Sequence, residues 1–150
     1  MMETQKFRSL RVLVITNLAI LLLEFVFGIS INIAPLASSP SNFSMNGFIK
    51  TLVQVGGLTL FHISTGLVLG ILSIVIMILS LRTGVRRLQL LGSLAFLAIL
   101  LVGIMGLLFV ASGFRNQNFV FGIIPLFVLA VVFYAFLYFS LKPVSQGSTS

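Results

Sequence analysis

Four long apolar runs dominate the sequence, and the polar side chains collect between them. The runs cover residues 12–33, 57–81, 88–110 and 119–141. Each is close to the roughly 20 residues that a helix needs to cross a bilayer. The pattern predicts four transmembrane helices within a single integral membrane domain over residues 1–150, with an outer loop at residues 34–56.

Composition excludes the other broad classes of protein. Only 7% of the chain is charged and 59% is hydrophobic, whereas about a quarter of an ordinary soluble domain is charged. Such an apolar chain is not disordered, and a chain without cysteine is not a disulfide scaffold. The lipid bilayer is therefore the expected environment.

The basic residues predict an orientation in the membrane. One group lies in the N-terminal tail, the second turn and the C-terminal tail: Lys6, Arg8, Arg11, Arg82, Arg86, Arg87 and Lys142. Only Lys50 and Arg115 fall on the other side. Because positive residues are retained on the inner side, both termini are expected in the cytoplasm of a multi-pass cell-membrane protein. Basic residues at the ends of apolar runs do not indicate nucleic acid as a partner.

The short connections predict the fold class. Residues 82–87 and 115–118 form short polar turns, which favour antiparallel neighbours. The expected fold is all-α, a polytopic up-down-up-down four-helix transmembrane bundle. Small residues such as Gly66 and Gly70 on the second helix favour close contacts. Self-association as a homo-oligomer, or docking to a larger membrane complex, is expected from such faces.

Glu24 and His62 are the ionisable side chains well inside the predicted spans. Such groups usually face the bundle interior and have a partner. At about 1.5 Å per residue, Glu24 lies roughly 18 Å and His62 roughly 28 Å from the cytoplasmic ends of their apolar runs. This estimate separates them by about 10 Å along the membrane normal, too far for a direct hydrogen bond unless the helices shift or a water intervenes.

Two interpretations of Glu24 remain open. An apolar layer around Gly70, Leu100 and Phe127 is expected at its level, so the carboxyl group is expected to be neutral unless it meets a cation. It is then either a buried acid hydrogen-bonded to the backbone or a serine, or a proton-relay or quinone-contacting group. Tyr134 and Tyr138 are expected to be interfacial anchors.

Two interpretations of His62 also remain open. Ser30 and Asn32 of the first helix are expected at its level, and a hydrogen bond to Asn32 would satisfy the ring. Alternatively, His62 is an axial ligand of heme b. In that case Gly66 and Gly70, one and two turns below it, would leave a flat space for the porphyrin. Heme iron at His62 is the only metal site suggested.

The second half of the chain resembles a known family. The residues that carry the resemblance are His62, Gly66, Gly70, Arg82, Gly103, Gly106 and Gly113. Their spacing is similar to one four-helix bundle of the heme A synthase family, in which heme lies between histidines on the second and fourth helices. The resemblance implies a heme-ligand role for His62, but there is no histidine at residues 121–125 to match the family's second ligand. The chain also resembles small uncharacterised four-span membrane proteins of archaea and actinobacteria.

Three functions follow as expectations. The first is a non-catalytic accessory or assembly subunit of a respiratory-type complex, related to heme-binding bundles. The second is a membrane protein that binds heme b through a single histidine. The third is a small proton-coupled transporter that uses Glu24. No sequence motif indicates a catalytic residue.

Overall fold

The computed structural model describes residues 2–33, 57–111 and 117–141, and all regular structure in these ranges is helical. The helices are α1 (Met2–Ile33), α2 (Gly57–Leu81), α3 (Arg86–Ala111) and α4 (Gln117–Ser140). The predicted outer loop at residues 34–56, with Lys50, lies outside the described residues, as do Arg115 and Lys142. The all-helical prediction is confirmed over the described ranges.

Each helix is long and apolar enough to cross a membrane. The qualifying segments are Phe7–Gly28, Leu60–Leu81, Arg86–Phe109 and Phe121–Ser140. Large apolar side chains cover their outer surfaces, including Leu67 at 67% and Phe121 at 71% exposed. Surfaces of this kind are suited to contact with lipid, so the four described helices have the length and composition of the spans of a multi-pass membrane protein.

Buried side chains recur at alternating intervals of three and four residues. On α1 they are Leu10, Val14, Asn17, Leu21 and Glu24. The same spacing extends along α4 from Phe127 through Tyr134, and it reaches Leu141 directly after the helix. This 3.5-residue period is the seam of side chains along which helices pack in coiled coils and most four-helix bundles. Polar and apolar residues therefore share one interior face on α1.

A tight turn joins α2 to α3. Gly84 has a φ of 72°, a conformation that is costly for residues with a Cβ. The Thr83 hydroxyl donates to the Ser80 carbonyl (2.7 Å) and accepts from the Val85 amide (3.2 Å). The Gln89 side-chain amide donates to the Leu81 carbonyl at 3.0 Å. The turn thus satisfies polar groups that the end of α2 would leave without partners.

Two helix contacts position α2 and α4. A Cβ added at Gly92 of α3 would lie 2.6 Å from the side chain of Ser80 on α2, so only glycine permits this approach. On the other side of the bundle, the rings of Phe25 on α1 and Phe127 on α4 stack at 4.7 Å. The buried core lies between these contacts.

Candidate functional site

Glu24 and His62 meet between α1 and α2. Nδ1 of His62 lies 2.5 Å from Oε2 of Glu24. The Glu24 side chain is 9% exposed and the His62 side chain 34%. A protonated imidazole and a carboxylate at this distance attract each other as an ion pair, although Nδ1 of His62 does not meet the geometry of a hydrogen bond to Glu24. Each group supplies the partner that an ionisable side chain in a membrane helix needs.

This contact corrects the predicted separation of about 10 Å along the helices. The prediction aligned Val12 with Leu81 as the two cytoplasmic ends, but α1 is already helical from Met2. In the observed register Gly28 lies beside His62 and Glu24 beside Gly66, which brings Leu81 level with roughly residue 9 of α1. The two long side chains cover the remaining offset.

Thr65 adds a hydroxyl group to the pair. It lies one turn after His62 on α2 and donates to Oε1 of Glu24. Its oxygen also lies 2.9 Å from the Phe61 carbonyl and 3.1 Å from the His62 carbonyl. Both carboxylate oxygens of Glu24 thus contact polar groups of α2. Glu24 was expected to lie in an apolar layer near Gly70. On the side of α2 this prediction is wrong, because polar groups contact the carboxylate there.

Glycines of α1 and α2 lie beside the Glu24–His62 pair. A Cβ added at Gly28 would lie 3.7 Å from Cε1 of His62, and one added at Gly66 would lie 4.0 Å from Oε2 of Glu24. Gly66 therefore borders the carboxylate. Gly70 has no atom within 4 Å of the corresponding position.

Aromatic rings border the pair. Phe27 of α1 and Phe61 of α2 make an edge-to-face contact at 5.1 Å. Phe25, the residue after Glu24, stacks on Phe127 of α4. Glu24, whose side chain is 9% exposed, lies in surroundings of lower dielectric than water, which strengthens its interaction with the imidazole.

A second polar layer lies two helical turns from Glu24 along α1. Asn17 of α1, Ser73 of α2 and Tyr134 of α4 are all fully buried. The Tyr134 hydroxyl approaches the side chains of Ser73 and Asn17. Tyr134 was expected at the membrane interface, and that prediction is wrong, because its position on the 3.5-residue seam turns the ring into the bundle.

Tyr138, one turn further along α4, has different surroundings. Its hydroxyl accepts a hydrogen bond from Nη2 of Arg11 at 2.9 Å, and the Arg11 guanidinium lies 4.9 Å from the centre of its ring. A ring beside an arginine near the helix end is consistent with the expected interfacial position. Together with the preceding layers, this contact places polar groups at three levels of α1.

The other predicted neighbours of His62 are not tested. The side chains of Ser30 and Asn32 lie outside the described residues. The sequence interpretation did not identify Thr65, Asn17, Ser73 or Tyr134 as site residues. The seam spacing from Glu24 back to Asn17, and from His62 through Thr65 to Ser73, was the signal that would have indicated them.

A bound heme would need an iron ligand and a flat space among the described residues. Among them, no group of three or more His, Cys, Asp or Glu side chains could hold a metal ion. His62 fits the role of a single axial ligand, because a carboxylate on Nδ1 is the arrangement that orients ligating histidines through Nε2. The flat space predicted beside Gly66 does not fit, because Glu24 borders that glycine.

Comparison with known proteins does not assign a family. No protein-family model, curated protein or solved structure matches the chain. The resemblance to heme A synthase therefore stays a prediction, and any function must be argued from the site.

Proposed function

We propose that the chain is a small proton-coupled transporter in which Glu24 and His62 form the proton-exchange site. In this proposal the four helices cross the cell membrane up-down-up-down with both termini in the cytoplasm. The observation that carries the proposal is the contact of 2.5 Å between Nδ1 of His62 and Oε2 of Glu24. It joins the only histidine of the chain to one of its two acidic residues.

An imidazole and a carboxyl group in contact form a suitable proton acceptor. Histidine is the side chain that ordinarily changes charge near neutral pH. Beside Glu24, gain of one proton converts an anionic pair into a neutral one, and loss reverses the change. Because the two groups belong to different helices, each exchange alters the attraction between α1 and α2. A coupled transporter requires such a link between protonation and helix packing.

Thr65 supports both protonation states of Glu24. A hydroxyl has one proton to donate and two lone pairs to accept with. Towards an ionised carboxylate, Thr65 donates to Oε1. Towards a protonated carboxyl group, Thr65 accepts a hydrogen bond from the carboxyl O–H and donates its own to the Phe61 carbonyl, which lies 2.9 Å away. The buried acid therefore keeps a hydrogen-bond partner in either state.

The absence of a charged pair across helices would argue against a transporter. The Glu24–His62 contact removes that objection. The accessory or assembly role in a respiratory-type complex stays a prediction, since no feature of the described residues identifies a partner subunit.

Proton flux in liposomes tests the proposal. Purified protein is reconstituted with a pH gradient, with K⁺ and valinomycin present to balance charge, so that proton leak through the exchange site is measured without a co-transported substrate. The change of internal pH is followed with a trapped dye. Wild-type protein is expected to dissipate the gradient, and Glu24→Gln and His62→Gln are expected to abolish the flux. Glu3→Gln, which removes the other acidic residue, is the matched control and should retain it. Absence of flux in the wild type, or unchanged flux in Glu24→Gln, would refute the proposal.

Single-histidine heme b binding is the second candidate function. The observation that favours it is the carboxylate on Nδ1, which leaves Nε2 as the ligand atom and orients it. Bound heme would supply redox or gas-binding chemistry, while Glu24 would orient His62. The test is a reduced-minus-oxidised absorption spectrum after heme supplementation. A Soret band lost in His62→Ala is the expected result, and a colourless preparation would exclude heme.

A further inference from the structure

The layer formed by Asn17, Ser73 and Tyr134 has unmet hydrogen-bonding capacity. Among the described residues, neither polar atom of the Asn17 side chain completes a hydrogen bond, and neither does the Tyr134 hydroxyl. The Ser73 hydroxyl donates to the Gly70 carbonyl at 2.7 Å. The Ser73 and Asn17 side chains also lie near the Tyr134 hydroxyl, but that hydroxyl completes no hydrogen bond with either. All three side chains are 0% exposed. Buried polar groups left without partners are costly, typically by about 1–3 kcal/mol each.

The chemistry of the layer selects a small neutral ligand. Its three side chains are uncharged amide and hydroxyl groups, with both donors and acceptors to satisfy. A metal cation here would have its charge uncompensated inside the bundle, which is strongly unfavourable. A water molecule can donate two hydrogen bonds and accept two. Buried water usually bonds to polar groups that would otherwise lack partners.

The layer also lies on the inner side of the proton-exchange site. Asn17 precedes Glu24 by two turns on the same buried face of α1, a distance of about 10 Å. Leu21 of α1 and Leu69 of α2 are buried between these two levels. One turn beyond Tyr134, Tyr138 accepts a hydrogen bond from Arg11. The Arg11–Tyr138 contact marks the arginine-bearing end of the bundle.

We propose that Asn17, Ser73 and Tyr134 bind internal water and that this hydrated layer carries protons between Glu24–His62 and the arginine-bearing end of the bundle. The relay role rests on the proposed function, whereas the water site does not. Leu21 and Leu69 form an apolar barrier in this path. Water that enters transiently between these two side chains completes the proton connection. His62 lies beside Gly28, on the side of Glu24 away from this layer, and is the exchange point for the opposite end.

Water contact is measured first, without reference to transport. The chain has two tyrosines, so tyrosine-selective ¹³C labelling in the Tyr138→Phe background isolates Tyr134. Solid-state NMR in lipid then detects magnetisation transfer from water to the Tyr134 ring. Transfer is expected in this background and a several-fold loss in Asn17→Leu. A dry Tyr134, or a signal that requires Na⁺, would overturn the water site.

Proton flux is measured second, with Tyr134→Phe against Tyr138→Phe. The two changes each remove one hydroxyl from α4. Tyr134→Phe is expected to slow the flux about tenfold, a barrier change of about 1.4 kcal/mol, while Tyr138→Phe stays near wild type. Leu21→Ala, which thins the dry barrier, is expected to accelerate it. Wild-type flux in Tyr134→Phe would overturn the relay. If Glu24→Gln still abolished the flux, the proposed function would remain supported.

Discussion

At the residue scale, the stability of the site depends on how fully the Glu24 carboxylate is bonded. Its two oxygens contact Nδ1 of His62 and the Thr65 hydroxyl. A carboxylate near the bilayer interior is unfavourable by roughly 2.5–3.5 kcal/mol on insertion scales. These two contacts offset that energy, so the loss of either should destabilise the protein.

Removal of the hydroxyl at position 65 tests this point. Thr65→Val keeps the shape of the side chain but leaves one oxygen of Glu24 without a donor. The expected loss is about 1–3 kcal/mol in the free energy of unfolding, measured by denaturant titration in detergent micelles.

Ser64→Ala is the matched control for Thr65→Val. The Ser64 hydroxyl donates to the carbonyl four residues earlier, Leu60, on an exposed face of α2. Its loss should change stability much less. Equal effects of the two substitutions would mean that Thr65 does not stabilise Glu24.

Sequence could indicate some of these residues but not their contacts. Glu24 and His62 stand out because ionisable side chains are rare in apolar helices. Their contact depends on the register between α1 and α2, and residues before Val12 looked like a tail although α1 begins at Met2. Asn17 and Tyr134 are ordinary residues in membrane helices, so only packing identified them as neighbours.

At the element scale, the α2–α3 hairpin holds α2, and with it His62 and Thr65, in position. Two of its glycines have different physical roles. Gly84 provides a positive φ in the turn, and Gly92 provides space for Ser80. The turn itself could be predicted from the polar residues 82–87, but the close approach at Gly92 could not, since the sequence contains 13 glycines.

Gly84→Ala tests the conformation of the turn. A Cβ in the left-handed region is unfavourable by about 1–2 kcal/mol, and the variant should lose that much stability in a denaturant titration. Gly84→Asn should lose less, because asparagine tolerates this region better. If alanine and asparagine were equivalent to glycine, the turn would have a different conformation.

Gly92→Ala tests the close approach of the helices. The added methyl group would lie 2.6 Å from the Ser80 side chain, so α2 and α3 must separate. Overpacking of this kind typically lowers stability by about 1–3 kcal/mol, which thermal unfolding in micelles would detect. Gly103→Ala is the control on α3, because the added atom meets nothing within 4 Å. A neutral Gly92→Ala would contradict the observed packing.

At the scale of the whole molecule, apolar side chains cover the outside of the described helices, and a few polar side chains lie inside. The faces of the described helices that point outward carry large aliphatic and aromatic side chains, whereas Glu24, Asn17, Ser73 and Tyr134 point inward. Composition and run lengths were sufficient to predict four helices of spanning length, because that prediction needs no knowledge of packing. Orientation rests on the distribution of arginine and lysine.

Labelling of a single cysteine tests the orientation. The chain contains no cysteine, so Thr83→Cys places one in the turn between α2 and α3. With both termini and this turn in the cytoplasm, a membrane-impermeant maleimide should label it only after the cells are permeabilised. Labelling in intact cells would reverse the proposed orientation.

The most direct test of the account is the distance between His62 and Glu24 in a lipid bilayer. Glu3→Gln leaves one glutamate and one histidine, so ¹⁵N-histidine and ¹³C-glutamate labelling isolates a single pair for solid-state NMR dipolar recoupling. The account predicts the strong Nδ1–Cδ coupling of groups in direct contact, consistent with 2.5 Å between Nδ1 and Oε2. Absence of coupling, as expected for helices that hold the two side chains about 10 Å apart, would contradict it.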